Sequence, residues 1–281
     1  MRRMSDKEYL RHFQYVDATN LNARIAVHSL FSTGKEKWTD FIFRYLRIFP
    51  NIRVLALGCG NATQWQANAS RFPPDCAIHL TDLSHGMLYS ARSELIKDPR
   101  FSFSMVDAQD IPFPNKSFGR VTANHMLYHV PDIPKSLAEI KRVLKPDGLF
   151  MAATNGEKHM IELYDMLSVM CPGYIPEDSK HTRFSLENGS ELLEHYFSHV
   201  VMIPYLSDLW VTDADLLVDY VFSMWDASGV IKEDQYLPLL NHFHSVIQQE
   251  GGIFIRKSTG IFITSDSNES MRSVRSLQTE Q

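Results

Sequence analysis

Gly58, Gly60, Asp82, Asp107, Asn124 and His125 are the residues whose types and spacing could do chemistry in this chain. The two glycines sit in "RVLALGCGNATQW", where an apolar run ends in Gly-Cys-Gly and then a polar break. Glycine there lets the backbone approach a ligand with no side chain between them. Asp82 closes the next apolar run, "AIHLTD", and a carboxylate at such a point can accept from both vicinal hydroxyls of a ribose. Asp107 closes a third run, "FSFSMVD", and could accept from an exocyclic amine of the kind adenine carries. Two carboxylates with an apolar slot between them suit a neutral nucleoside; like charges would repel a phosphate chain. A dinucleotide fingerprint is also opposed by Thr63, which stands where that pattern needs a small residue. Each aspartate alone would read as a strand-end cap. Together, after a Gly-x-Gly strand, they point to ligand contact.

The elements that must position these residues follow from periodicity. Residues 5–31 and "KEKWTDFIFRYLRIF" read as helices, the second with Trp38, Phe41, Ile42, Tyr45, Leu46 and Phe49 on one face and Pro50 ending it. Strands at "IRVLALG", "AIHLTD", "FSFSMVD", "RVTANHML" and "LFMAAT" then alternate with helices at 62–71, "SHGMLYSARSEL" and "PKSLAEIKRVL", with Ser84 as an N-cap and "PDG" as a turn. That alternation means βαβ units and a mostly parallel sheet, whose ligands sit outside the carboxyl ends of the strands. Gly58, Asp82, Asp107 and Asn124 all fall at those ends. Beyond Gly156 come helices at "KHMIELYDMLSVM", "GSELLEHYF", "TDADLLVDYVFSMW" and "QYLPLLNHFHSVI", a loop at 172–182, a strand at "HVVMIPYL" and a last strand at "FIRKSTGIFIT". The polar stretch 265–281 reads as a disordered tail.

The segment from about Val54 to Gly156 resembles the core of class I S-adenosylmethionine-dependent methyltransferases of the small-molecule, type 11-like group. The matching motifs are "VLALGCG", "LTDLSHGMLYSAR", "VDAQDIPFPNKSF" and "ANHMLYHVPDIPKSLAEIKRVLKPDGLF". The last two together are specific, and "LGCG" is not. The resemblance implies an α/β fold: a Rossmann-like, mostly parallel seven-stranded sheet with helices on both faces and a helical cap. By analogy the last strand, 254–264, is antiparallel, and helices at about 213–250 are inserted between the sixth and seventh strands. The expected organisation is an N-terminal helical lid (1–34), a cofactor-binding core (35–156), the C-terminal half of the sheet with its cap helices (157–264) and the tail (265–281).

The resemblance also implies roles. Gly58, Cys59 and Gly60 would flank the methionine end of S-adenosyl-L-methionine, Asp82 would hold the ribose, and Leu83 or Met87 would lie against adenine. Asp107 and the Ala108 amide would read the adenine edge, and Asn124 would open the loop facing the reacting methyl. Three positions depart from the family: Ala56 stands where an acid is usual, Ala62 where glycine is usual, and Gly119 where Asp is frequent. Loss of the acid beside an ammonium removes a charge-assisted hydrogen bond of about 1.5–3 kcal/mol. A working but altered cofactor site is the expectation.

His125, next to Asn124, is the candidate general base, since an imidazole titrates near neutral pH; a satisfied structural histidine is the plainer reading. His125 and His129 are four apart, a spacing that could suit a metal on a helix, but no third ligand stands at a suggestive distance, so no metal is expected. Cys59 reads as packing rather than as a nucleophile. Tyr9, Phe13 and Tyr15 could roof the cofactor or merely pack, and the aromatics Trp210, Tyr220, Trp225, Tyr236 and Phe243 read as core of the cap.

Apolar residues make up 44% and charged residues 22% of 281, with a net charge of -5, so a buried core is expected and nucleic acid is not. No run is long and apolar enough for a membrane span, no secretory signal opens the sequence, and the three cysteines show no metal-like pairing. A cytoplasmic enzyme transferring a methyl group to a small-molecule O-, N- or C-nucleophile, such as a natural-product intermediate, is expected. The alternatives are a cofactor-holding protein that catalyses a non-methylating rearrangement, and a non-catalytic binding protein.

Overall fold

The computed structural model describes residues 5–171, 183–224 and 231–278. The expected loop at 172–182 and Trp225 lie outside the described residues. Among the described residues nine strands form: β1 (Arg53–Leu57), β2 (Ala77–Asp82), β3 (Phe101–Met105), β4 (Phe118–Asn124), β5 (Leu144–Asn155), β6 (His199–Pro204), β7 (Leu209–Val211), β8 (Ile253–Ile255) and β9 (Thr259–Ser265). Seven of them make one sheet in the order β3-β2-β1-β4-β5-β9-β6, parallel except for β9, which runs antiparallel to both β5 and β6. The Rossmann-like expectation holds. Val54 to Leu57 are all buried, as a strand covered on both faces must be. The order reverses at β1, so β1 and β4 leave a crevice at their carboxyl ends.

The helices are α1 (Lys7–Tyr9, continuing as a π-helix over Leu10–Gln14), α2 (Thr19–Leu30), α3 (Trp38–Leu46), α4 (Thr63–Ala67), α5 (His85–Leu95), α6 (Ile133–Val143), α7 (Ile161–Met170), α8 (Gly189–Glu194), α9 (Ala214–Ser223), α10 (Tyr236–Glu250) and α11 (Asn268–Gln278). Two apolar clusters fill the two faces of the large sheet, one around Tyr45, Val54 and Ile78, the other around Leu55, Leu137 and Phe150. A third cluster, with Val27, Leu163, Leu217 and Phe243, is the core of the cap. It joins α2, α7, α9 and α10 to a small antiparallel sheet of β7 and β8.

Three expectations need correction. The last strand does not run unbroken over 254–264: Ile253–Ile255 pairs with β7 in the cap, and the chain re-enters the large sheet only at Thr259. The stretch from 265 is not a disordered tail. Ser265 still belongs to β9, and Asn268–Gln278 is a helix whose Met271 and Val274 are fully buried against the first cluster. Its apolar residues lie three apart amid polar ones, which masked the pattern; residues 279–281 lie outside the described residues. Trp210 is not core of the cap, being 43% exposed, whereas Tyr220 and Phe243 are buried.

The lid docks through glycine. A Cβ at Gly86 would stand 1.9 Å from the Val16 carbonyl oxygen, so only glycine admits the lid backbone there. The Ser84 hydroxyl, which caps α5 by accepting from Met87 N–H, also donates to the Tyr15 carbonyl at 2.5 Å. Overpacking of this kind costs about 1–3 kcal/mol. Gly86→Ala is therefore expected to raise the open population of residues 5–18 roughly five- to hundredfold, read as faster amide hydrogen exchange in that segment. Unchanged exchange would mean that the lid is not held at this point.

Candidate functional site

Gly58 and Gly60 follow β1 with φ of +64° and +57°, the left-handed region open to glycine. A Cβ at Gly58 would meet Met126 Cβ at 2.8 Å, and one at Gly60 would meet Leu21 at 2.9 Å. The loop is thus a close-walled cradle. Ala62 takes the same left-handed conformation (φ +61°) without glycine's freedom, and it is fully buried at the start of α4. An L-residue there bears a strain of about 1–2 kcal/mol.

Asp82, at the end of β2, is aimed by backbone donors. Gly60 N–H donates to Oδ2 at 2.9 Å and Ser84 N–H to Oδ1 at 2.8 Å. Burial pushes its pKa up, against the pull of those amides. A carboxylate offers about four acceptor positions, so these amides leave capacity for a ligand. Asp107 lies two residues beyond β3, not within it. It accepts from the Gln109 amide and side chain and pairs with Lys7 of α1. Burial opposes its charge, but Lys7 and Gln109 outweigh that and hold the carboxyl below its usual range.

Asn124 ends β4, and its Nδ2 donates to Gln64 Oε1 at 3.0 Å. Its Oδ1 is a buried acceptor with no hydrogen-bond partner among the described residues, which suits a ligand donor. His125 follows with φ of +53°, its ring 5.4 Å from Trp38. Because Leu127–His129 is a 3₁₀ turn, His125 and His129 do not share a helix face. His129 Nε2 instead meets the Tyr15 hydroxyl at 3.2 Å. Among the described residues no three metal-ligating side chains stand together. Cys59 has its thiol pKa pushed well up, by burial and by Asp82, so it is not a poised nucleophile.

Gly58, Cys59, Gly60, Asp82, Leu83, Met87, Asp107, Ala108, Asn124 and His125 all line one cavity of about 890 Å³. Single-ligand pockets run to roughly 300–1,000 Å³, so this one has room beyond a nucleoside. Tyr15 lines it, whereas Tyr9 and Phe13 stack on each other outside it, Phe13 being 67% exposed. The cavity also holds residues that sequence reasoning missed: His28 from α2, His159 before α7, and Lys257 between β8 and β9. No local pattern marks them, because the cap and the sheet bring them together from distant stretches.

Residues 55–152 match the family model described as Methyltransferase domain. Over that stretch the chain is similar to methyltransferase domains. The match runs from within β1 through most of β5 and so takes in every sequence-derived site residue. The class I resemblance drawn from the motifs holds. Similar curated proteins include the demethylmenaquinone methyltransferase of Symbiobacterium thermophilum, 30% identical over 149 residues, which are 52% of this chain and 58% of that protein. The ubiquinone/menaquinone biosynthesis C-methyltransferase UbiE of Bordetella avium is 30% identical over 146 residues, 50% of this chain and 57% of that one. The chain therefore spans less than two thirds of these relatives.

Solved structures share the fold at lower identity. Phosphoethanolamine N-methyltransferase 2 of Haemonchus contortus, solved with S-adenosyl-L-methionine, superposes with a TM-score of 0.59 at 18% identity, over 93% of this chain and 60% of that one. The cyclase SpnF gives 0.60 at 14% identity, over 92% and 96%. At these identities the likeness concerns the fold alone.

Proposed function

We propose that this chain binds S-adenosyl-L-methionine and transfers its methyl group to a small-molecule acceptor. One observation carries the reading: a carboxylate at the end of β2, another just beyond β3 and a left-handed Gly-Cys-Gly loop face one cavity that extends past them beneath a helical cap. When bound, the cofactor supplies an electrophilic methyl on a positively charged sulfur. Asp82 would hold the ribose hydroxyls, Asp107 and the Ala108 amide the adenine edge, and the loop at Gly58–Gly60 the amino-acid end. Asn124 Oδ1, unpartnered and buried, would accept from the ammonium and stand in for the acid that Ala56 lacks. The lid and cap would exclude water and hold the acceptor in line, and such positioning supplies much of the acceleration. His125 would take a proton where the acceptor must lose one.

Incubation with the labelled cofactor tests this. Labelled product with equimolar demethylated cofactor is the expected result; cofactor binding without either, across broad acceptor sets, would count against transfer. Ala56 and Ala62 favour a second reading, a cofactor-holding protein that catalyses a rearrangement. It predicts turnover with no demethylated cofactor formed.

Lys7 gives a finer check. Its ammonium sits on the carboxylate assigned to adenine, so the pair must share or open for an amine to bind. A partly exposed pair is worth about 0.2–1 kcal/mol. Lys7→Met is expected to tighten binding of S-adenosylhomocysteine roughly two- to fivefold by titration calorimetry, and weaker binding would show that Lys7 assists the ligand instead.

A further inference from the structure

The cavity is polar in the electrical sense. Asp82 and Asp107 lie at the β2 and β3 side, while Lys257 and His159 lie where β5 and β9 end and begin. Four strand spacings separate β2 from β9, roughly 19 Å, so the second group is not part of the adenosine site. Lys257 is half-buried and makes no salt bridge among the described residues; its ammonium rests 4.9 Å from the Tyr205 ring centre. Burial lowers its pKa to about 8, with Asp208 offsetting part of that.

His159 is buried, and its Nδ1 accepts from Ser258 N–H at 3.3 Å. His28 stacks on His159 with ring centres 5.8 Å apart, and its Nδ1 is buried without a hydrogen-bond partner among the described residues. Burial, then Lys257, His125 and Arg24, hold His28 well below its ordinary pKa, so it stands neutral. Tyr220 meets His28 edge-on at 5.6 Å. A half-buried ammonium with no salt bridge among the described residues, a buried imidazole and a second ring nitrogen without a hydrogen-bond partner among those residues line this end of the cavity beside the Tyr205 and Tyr220 rings.

We propose that Lys257, His159 and His28 form the acceptor-recognition subsite, and that the acceptor is a planar ring compound bearing an acidic oxygen, bound as its anion against Lys257. The inference rests on the methyl-transfer reading above for the word acceptor; the anion preference is a separate property. An ammonium deprived of water gains a charge-assisted hydrogen bond from an anionic oxygen, and a ring slots between the aromatic walls. Lys257 is a positioning and specificity residue here.

Titration calorimetry of the full chain, with and without saturating S-adenosylhomocysteine, tests it. The probes are benzoates and hydroxynaphthoates, each paired with its primary amide. At least one acid is expected to bind about tenfold or more tightly than its amide. Lys257→Gln should reduce that preference to about twofold or less, and Lys257→Arg should keep most of it. Both variants should bind S-adenosylhomocysteine within about twofold of the parent, which also shows that they fold. Acids and amides binding alike in every pair, neither binding, or a preference that survives Lys257→Gln would overturn the proposal. Failure of S-adenosylhomocysteine to bind the parent chain would instead remove the methyl-transfer reading.

Discussion

Asp82→Ala is expected to weaken binding of S-adenosylhomocysteine by about a hundred- to ten-thousandfold. The carboxylate would accept from two ribose hydroxyls, and hydrogen bonds to a charged group contribute about 1.5–3 kcal/mol each. The change also leaves the Gly60 and Ser84 amides without their acceptor, so the loop loses the tie that joins the end of β1 to the end of β2. His125→Ala is the comparison. It should leave affinity within about threefold and slow turnover, since His125 is assigned to the acceptor side. Titration calorimetry and a single-turnover assay read the two effects separately. Negligible effects of both changes on binding and rate would mean that the pocket is misplaced.

The second large effect concerns the residue that departs most from the family. Ala56 is 1% exposed and packs in the apolar cluster on one face of the sheet. An aspartate there would be buried with no cation beside it in the ligand-free protein, a cost of several kcal/mol. Ala56→Asp is therefore expected to lower the melting temperature by roughly 5–10 °C, at about 2–4 °C per kcal/mol for large domains. With the ligand ammonium in reach, the same carboxylate gains about 1.5–3 kcal/mol, and affinity should rise roughly ten- to hundredfold. Saturating S-adenosylhomocysteine should then restore more of the melting temperature in the variant than in the parent chain. Lower stability with unchanged affinity would show that the amino-acid end does not lie over β1.

The sheet was legible because its strands carry strong local signals. Val54–Leu57 and Leu149–Ala153 are apolar runs bounded by turn residues, and Ser84 and Asp132 cap the helices that follow β2 and β4. The ends of those strands then place Gly58, Asp82 and Asn124 without further information. Asp107 shows the limit: the strand stops at Met105, and a turn held by Gln109 carries the carboxylate to the cavity. The split of the last strand was not legible, because "FIRKSTGIFIT" has continuous strand character and only pairing with Leu209–Val211 pulls its start into the cap. The helix over Asn268–Gln278 was hidden for a related reason. Its own composition is polar, and its stability comes from burying Met271 and Val274 against a surface formed elsewhere. His28, His159 and Lys257 are more than a hundred residues apart at the extremes, and no spacing rule joins them.

A crystal structure with S-adenosylhomocysteine tests the central claim most directly. The account predicts ribose hydroxyls on the Asp82 carboxylate, the adenine edge at Asp107 and Ala108, and the amino group near Asn124 Oδ1. A ligand seated elsewhere, or one in this cavity with both carboxylates turned away from it, would contradict the account.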